Sequence, residues 1–259
     1  MLERATGWEG AELWLHIDEA ATVRGASFVE RMVGRRAGGE PLQYVLGRWR
    51  FRRLDLLVDR RVLIPRPETE VVGEVALAEL RRQGARRPVV VDLGTGSGAL
   101  GLSVADEVTG ARVWCTDTSP DALAVARANL AGLGSLTATR VRLVEGSWWD
   151  ALPEELWGRV DLVVSNPPYV AAGEELPAEV ADWEPVEALR AGPTGLEAIE
   201  SILAGALEWL TPSGAVVVEI APWQADRALQ LARVAGFGSA EVRPDLAGRP
   251  RVLVARASQ

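Results

Sequence analysis

Residues 89–98 read Val-Val-Val-Asp-Leu-Gly-Thr-Gly-Ser-Gly, an apolar run that ends abruptly in alternating glycines. A strand that is apolar on successive residues must be covered on both faces, as in a parallel sheet layered with helices. Glycines at its end let the backbone turn tightly and approach a ligand, with a helix N-terminus beyond. The rest of the chain keeps that rhythm. Helix is expected over 100–108, strand over 111–116, helix over 120–131, strand over 141–144 and a buried strand over 161–165. Helix 196–210, strand 215–220, helix 224–235 and two final strands at 240–243 and 252–255 complete the pattern. The alternation predicts a doubly wound α/β sheet.

Before residue 65 the rhythm differs. Residues 8–37 read as helical, with Leu13, Ile17 and Ala20 at three- and four-residue spacings and a second stretch around Phe28 to Val33. Trp49–Phe51 and Leu54–Val58 suit a hairpin. Pro65-Arg66-Pro67-Glu68-Thr69-Glu70 opens a long helix running to about Arg82, with proline where no donor is lost and carboxylates at the positive end of the helix dipole. The expected organisation is a helical docking segment over 1–46, a hairpin linker over 47–64 and a catalytic domain over 65–259.

Composition narrows the function. The single cysteine, Cys115, rules out an internal disulfide, and one histidine, His16, leaves no His/Cys metal cage, so a cytoplasmic protein without metal is expected. No run of about 18 apolar residues suggests a membrane span. Net charge is −8, yet residues 31–87 hold fourteen arginines against seven acidic residues. That basic front suits an acidic partner or RNA, or is simply solvated.

The glycine loop comprises Asp92, Gly94, Thr95, Gly96 and Gly98. Its spacing also satisfies a dinucleotide fingerprint, and an unliganded tight turn is the bland alternative. Asp92 separates the cofactors. A carboxylate at the strand end disfavours a pyrophosphate and suits the cationic methionine portion of S-adenosylmethionine. Asp117, 21 positions beyond Gly96, is placed for ribose hydroxyls. In Gly146-Ser147-Trp148-Trp149, Trp148 is the candidate for contact with adenine, whereas Trp149 reads as packing.

Asn166-Pro167-Pro168-Tyr169 follows the fourth sheet strand. An amide or exocyclic amine is a poor nucleophile because its lone pair is delocalised. A site that methylates one needs two acceptors aimed at its N–H bonds, and the Asn166 side-chain oxygen and Pro167 carbonyl can supply them. Pro167 and Pro168 hold the loop extended, and Tyr169 offers a π-face to a planar group. No general base is required, because the methylated nitrogen can lose its proton to water.

These residues resemble the peptide chain release factor glutamine methyltransferases and their ribosomal-protein relatives. The likeness runs from about Phe28 to Ala255. It includes Gly39 to Gly47, Leu63 to Glu70, Asp92 to Gly98, Ser165 to Tyr169, Trp183-Glu184-Pro185 with Ala188-Leu189, and Glu219-Ile220. It implies a Rossmann-like class I S-adenosylmethionine-dependent methyltransferase fold, seven-stranded with the last strand antiparallel. It implies that Asp92, Gly94, Gly96 and Asp117 bind the cofactor, and that Asn166, Pro167 and Tyr169 hold the glutamine of a Gly-Gly-Gln segment, with Arg66 and Glu68 shaping the site. The implied partner is a release factor, met by a monomer without nucleic acid. Departures are a short leading segment, Ser147 where an acidic residue is expected, Ala221 for glycine and Pro250 for aspartate. Rival readings are another glutamine-bearing protein such as a ribosomal protein, a nucleic-acid amino-methyltransferase, a nicotinamide oxidoreductase and a non-catalytic scaffold. The acidic half after the glycine loop weighs against nucleic acid, and Asn166 to Tyr169 weigh against the last two.

Overall fold

The computed structural model describes residues 1–258. The N-terminal piece contains α1 (Leu2–Thr6), α2 (Ala11–Leu15), α3 (Val23–Ala37) and α4 (Leu42–Leu46). Helix was expected over 8–37, with a second stretch around Phe28 to Val33, and the chain breaks between α2 and α3. The physical reason is Thr22, whose hydroxyl accepts the Gly25 N–H at 3.0 Å and starts a new helix. Gly7 and Gly10, both at positive φ, isolate the two short helices before it.

The hairpin β1 (Arg48–Phe51) and β2 (Leu54–Leu57) forms as expected, with Phe51 paired to Leu54. Arg52 at its turn adopts φ 51°, and the conformation is held by Glu107, which receives Nε at 2.6 Å and Nη2 at 3.0 Å. Phe51, Leu54 and Leu56 are buried against the sheet's helical cover. Burial of Phe51 at 1% exposure stabilises the junction by about 2–3 kcal/mol.

The helix α5 (Pro67–Gln83) then leads into the main layers. These are β3 (Val89–Leu93), α6 (Ala99–Glu107), β4 (Arg112–Asp117), α7 (Pro120–Ala131), α8 (Ser135–Ala138), β5 (Val141–Glu145) and β6 (Val160–Ser165). A two-residue strand β7 (Val170–Ala171), the short α9 (Ala178–Ala181) and β8 (Arg190–Gly192) form an excursion. The chain closes with α10 (Glu197–Trp209), β9 (Leu210–Glu219), α11 (Ala225–Val234), β10 (Ser239–Pro244) and β11 (Pro250–Arg256).

Seven strands pair in the order β10-β11-β9-β6-β3-β4-β5, with β11 antiparallel to both neighbours and the central pairs parallel. Strand alternation divides the core. Val90, Val113, Leu162 and Val217 pack beneath α5, α6 and the hairpin, whereas Val89, Val91, Val163 and Val216 pack beneath α10 and α11. The order reverses direction between β3 and β6, and in doubly wound sheets ligands bind outside the carboxyl ends of the strands at such a switch point.

Candidate active site

At the carboxyl end of β3 the loop passes through φ values of 69°, 54° and 87° at Gly94, Gly96 and Gly98. Three left-handed residues within five positions are a conformation that glycine alone adopts freely. Thr95 N–H donates to the Thr116 carbonyl at 2.8 Å, and Gly96 N–H to Asp117 Oδ2 at 2.9 Å, so the loop is pinned to the end of β4.

Asp92 is buried at 1% exposure. Its Oδ2 accepts the Thr95 hydroxyl at 2.6 Å and the Gly101 N–H, in the first turn of α6, at 2.8 Å. Burial raises its carboxyl to about 6, although those two hydrogen bonds oppose the shift and Asp117 reinforces it. Asp117 is also raised, chiefly by burial. The close packing of α6 depends on Gly101, where a Cβ would lie 2.5 Å from Cys115 Sγ and 2.9 Å from Asp92 Oδ2. Cys115 is a buried residue of this contact.

A cavity of about 570 Å³ opens here. Its lining includes Asp92, Gly94, Thr95, Gly96, Asp117, Trp148, Asn166 and Pro168, which the sequence had singled out. Trp148 adopts φ 42°, unusual for a bulky side chain, and forms one wall. Its neighbour Trp149 turns away, stacking on Trp209 at 6.0 Å and donating to the Ser201 carbonyl at 3.1 Å. Ser147 is solvent-exposed and outside the lining.

The remaining candidates stand behind the lining. Gly98 begins α6, and a Cβ there would meet Leu102 Cδ1 at 2.6 Å. Pro167 is buried. Burial raises the Tyr169 hydroxyl, on which the charges of Glu219, Arg251, Arg66 and Glu68 also act. Arg66 pairs with Glu184, whose other oxygen accepts the Ile64 N–H at 3.0 Å. Glu68 pairs with Arg249 at 3.2 Å. The first pair fastens the entrance of α5 to the segment around Trp183, whose Pro185, Glu187 and Ala188 close the cavity, and the second fastens it to the loop between β10 and β11.

Three residues without a role assigned from sequence, Thr69, Glu219 and Asn129, matter to this geometry. Thr69 lines the cavity and accepts the Asn166 Nδ2–H at 3.3 Å, while its own hydroxyl donates to Glu219 Oε2 at 2.7 Å. Parallel pairing of Ser165 with Val218 sets Asn166 beside Glu219, so the contact follows from sheet register. Asn129 of α7 accepts the Leu57 N–H at 2.7 Å and donates to the Ser97 carbonyl at 2.8 Å, tying the hairpin to the glycine loop. A first-turn position in α5 was a usable signal for Thr69. Asn129 had none, since its partners are 72 and 32 residues away.

Known proteins place this geometry. The release factor glutamine methyltransferase of Bifidobacterium longum is 40% identical over 92% of this chain and 83% of its own length. Those of Cereibacter sphaeroides and Mycolicibacterium smegmatis are 39% and 44% identical, over 99% and 87% of this chain and 88% and 78% of their own. This chain belongs to the release factor glutamine methyltransferase family. The methyltransferase small domain matches residues 72–182, and the PrmC N-terminal domain residues 1–47.

Solved structures carry the same fold at low identity. The catalytic domain of hMettl16, in complex with a MAT2A 3'UTR hairpin, superposes with TM-score 0.63 at 17% identity, covering 80% of this chain and 75% of that one. A methyltransferase from Pyrococcus furiosus does so with TM-score 0.55 at 17% identity, over 90% and 100%. The expected class I methyltransferase fold is therefore present, and the family member is an S-adenosylmethionine-dependent enzyme. The cavity suits that cofactor: the buried carboxylate of Asp92 and the part-buried one of Asp117 line it, and a Cβ at Gly96 would meet only open space. Among the described residues no three His, Cys, Asp or Glu gather to hold a metal, and no helix is long and apolar enough to cross a membrane.

Proposed function

We propose that this enzyme transfers a methyl group to the side-chain amide nitrogen of the glutamine in the Gly-Gly-Gln segment of a peptide chain release factor. The observation that carries the reading is one cavity lined by both the glycine loop with Asp92 and Asp117 and the Asn166–Pro168 loop. S-adenosylmethionine supplies an electrophilic methyl group on a sulfonium. Asp92 holds the cationic methionine portion, Asp117 the ribose, and Thr95, Gly98 and Trp148 complete the cofactor's seat.

The acceptor loop positions the substrate. Asn166 Oδ1 and the Pro167 carbonyl accept the two N–H bonds of the glutamine amide, which turns its lone pair towards the methyl group and favours a less planar nitrogen. Pro168 keeps the loop extended and Tyr169 flanks the amide plane. Arg66 and Glu68 act by bracing the entrance of α5. The proton leaves the product nitrogen to water, so no side chain serves as base.

The helical segment over 1–46 docks the protein substrate, the hairpin over 47–64 joins it to the catalytic domain over 65–259, and the enzyme works as a cytoplasmic monomer without nucleic acid. Exposed Trp14, Leu15 and Val23 support docking there, since large apolar side chains at 72%, 82% and 89% exposure suit a partner. The test is mass spectrometry of unmethylated release factor after incubation with enzyme and S-adenosylmethionine. One methyl group on the Gly-Gly-Gln glutamine is expected, with Asn166→Ala slower by about 10²–10³. Cofactor binding without transfer to any release factor would overturn the target.

A further inference from the structure

We propose that Glu219 and Thr69 set which way the Asn166 amide faces, so that its oxygen and not its NH2 group meets the substrate nitrogen. The argument is one of hydrogen-bond direction. Thr69 and Glu219 are buried at 2% and 1% exposure, so neither exchanges partners with bulk water. A carboxylate only accepts, so the Thr69 hydroxyl must donate to Glu219 Oε2, at 2.7 Å. With its one proton committed, Thr69 Oγ1 can offer only a lone pair to Asn166. That lone pair meets the amide Nδ2–H at 3.3 Å, and Asn166 Oδ1 is turned to the other side, free of any donor among the described residues. Polarity thus passes from a buried carboxylate through one hydroxyl to the acceptor group.

The same chain reverses when Glu219 takes up a proton. A neutral carboxyl donates to Thr69, the Thr69 hydroxyl is released to donate to Asn166, and the amide must rotate to present its oxygen to Thr69. Its NH2 group would then oppose the N–H bonds of the substrate. Groups facing Glu219 from every side decide when this happens. Arg251 of β11 stands 4.0 Å from Oε1 and favours the charged form, as does Arg66 before α5. Glu68 of α5 opposes it, and Tyr169 of the acceptor loop lies within its field. Asp245 draws Arg251 away at 3.6 Å. Burial outweighs these charges and raises the Glu219 carboxyl to about 7, so the reversal falls within the working range of a translation enzyme. Thr69 and Glu219 are positioning residues, acting through Asn166.

The inference rests on the glutamine reading for its substrate, and the test separates the two. Methyl transfer to unmethylated release factor is measured from pH 5.5 to 8.5 for the wild type, Thr69→Val, Thr69→Ser and Glu219→Gln. Dissociation constants for S-adenosylhomocysteine are measured alongside, and the Asn166 side-chain amide resonance is followed by NMR in the S-adenosylhomocysteine complex without substrate. Thr69→Val should lower kcat about tenfold or more at unchanged cofactor affinity, and Thr69→Ser should restore most of the loss. The wild type should show an acid limb near pH 7 that Glu219→Gln removes, because the glutamine carbonyl still accepts from Thr69 but takes up no proton. The Asn166 resonance should titrate with the same midpoint and cease to do so in Glu219→Gln.

An acid limb or a resonance shift that persists unchanged in Glu219→Gln overturns the relay, as does Thr69→Val acting like Thr69→Ser. Should the resonance titrate and respond to Glu219→Gln while no release factor is methylated, the relay stands and the target reading falls.

Discussion

Glu79 and Glu219 are hidden from water to the same degree, at 2% and 1% exposure, and both touch α5, yet they are treated oppositely. Glu79, in the last turns of the helix, receives Arg256 Nε and Nη2 at 2.9 and 2.7 Å and Arg82 at 2.8 Å, with Arg243 at 3.3 Å. Burial pushes its carboxyl up, but the hydrogen bonds and charges of Arg256 and Arg82 outweigh burial and leave it lowered. Glu219, beside the first turn, has one hydroxyl and a guanidinium 4.0 Å away, and is raised. One end of the helix saturates its buried charge with arginine, and the other leaves it under-compensated. The second arrangement is the costly one, and it stands beside the cavity.

The largest stability effect should come from undoing the saturated end. In Glu79→Ala, Arg256, only 20% exposed, loses two of its three short contacts and keeps Glu241 at 2.7 Å, while Arg82 and Arg243 can turn to solvent. The expected loss is about 2–4 kcal/mol, or roughly 5–10 °C in Tm, with S-adenosylhomocysteine affinity of the folded protein unchanged. Calorimetric unfolding with parallel binding isotherms checks this. A loss under about 0.5 kcal/mol, or a weakened cofactor, would erase the distinction between the two ends.

At the other end the sign reverses. Glu219 has its carboxyl raised to about 7 in the fold from 4.5, so folding favours the protonated form. Its contribution to stability is fully present below pH 4.5 and is lost as pH rises through about 7. Glu219→Gln, which cannot ionise, should therefore gain on the wild type by about 2 kcal/mol as pH moves from 5 to 8. Unfolding midpoints at the two pH values test it. A gain that is equal at both, or larger at pH 5, would mean that Glu219 is compensated as Glu79 is.

The contrast also explains what the sequence disclosed. Val89–Val91, the glycine loop and the alternation after them are local patterns, and every strand of the seven-stranded sheet formed about where it was expected, whereas the short pair β7 and β8 was not foreseen. Asp92 and Asp117 lie at the carboxyl ends of β3 and β4, and Asn166 directly follows β6, strands whose order draws their ends together, so their place at the cavity was legible too. The break at Thr22 was not, because a helix start and a helix interior share the same spacing of apolar residues. Thr69, Asn129 and Glu219 were underread for another reason. Their partners lie 97, 72 and 150 residues away, and only strand register and helix placement bring them together. Arg66 and Glu68 were assigned to the site through the resemblance alone, and their charges are spent on Glu184 and Arg249.

Asp92 offers the finest test of the comparison, because it shares the under-compensation of Glu219 but should meet its counter-charge in the ligand. Its carboxyl, raised to about 6 by burial, takes two hydrogen bonds on Oδ2, and among the described residues no donor engages Oδ1. A ligand ammonium or sulfonium favours the ionised form, so affinity should be complete above pH 7 and weaken as pH falls through about 6. For one linked proton the dissociation constant for S-adenosylhomocysteine rises about tenfold between pH 7 and pH 5, some 1.4 kcal/mol, and Asp117, raised in the same direction, would steepen the change. Isothermal titration of the wild type and Asp92→Asn from pH 5 to 8 decides it. A wild-type affinity that does not change over that range would show that Asp92 keeps its proton arrangement on binding. The carboxylate would then serve to hold the Thr95 hydroxyl and the first turn of α6, as a brace of the same kind as Glu79.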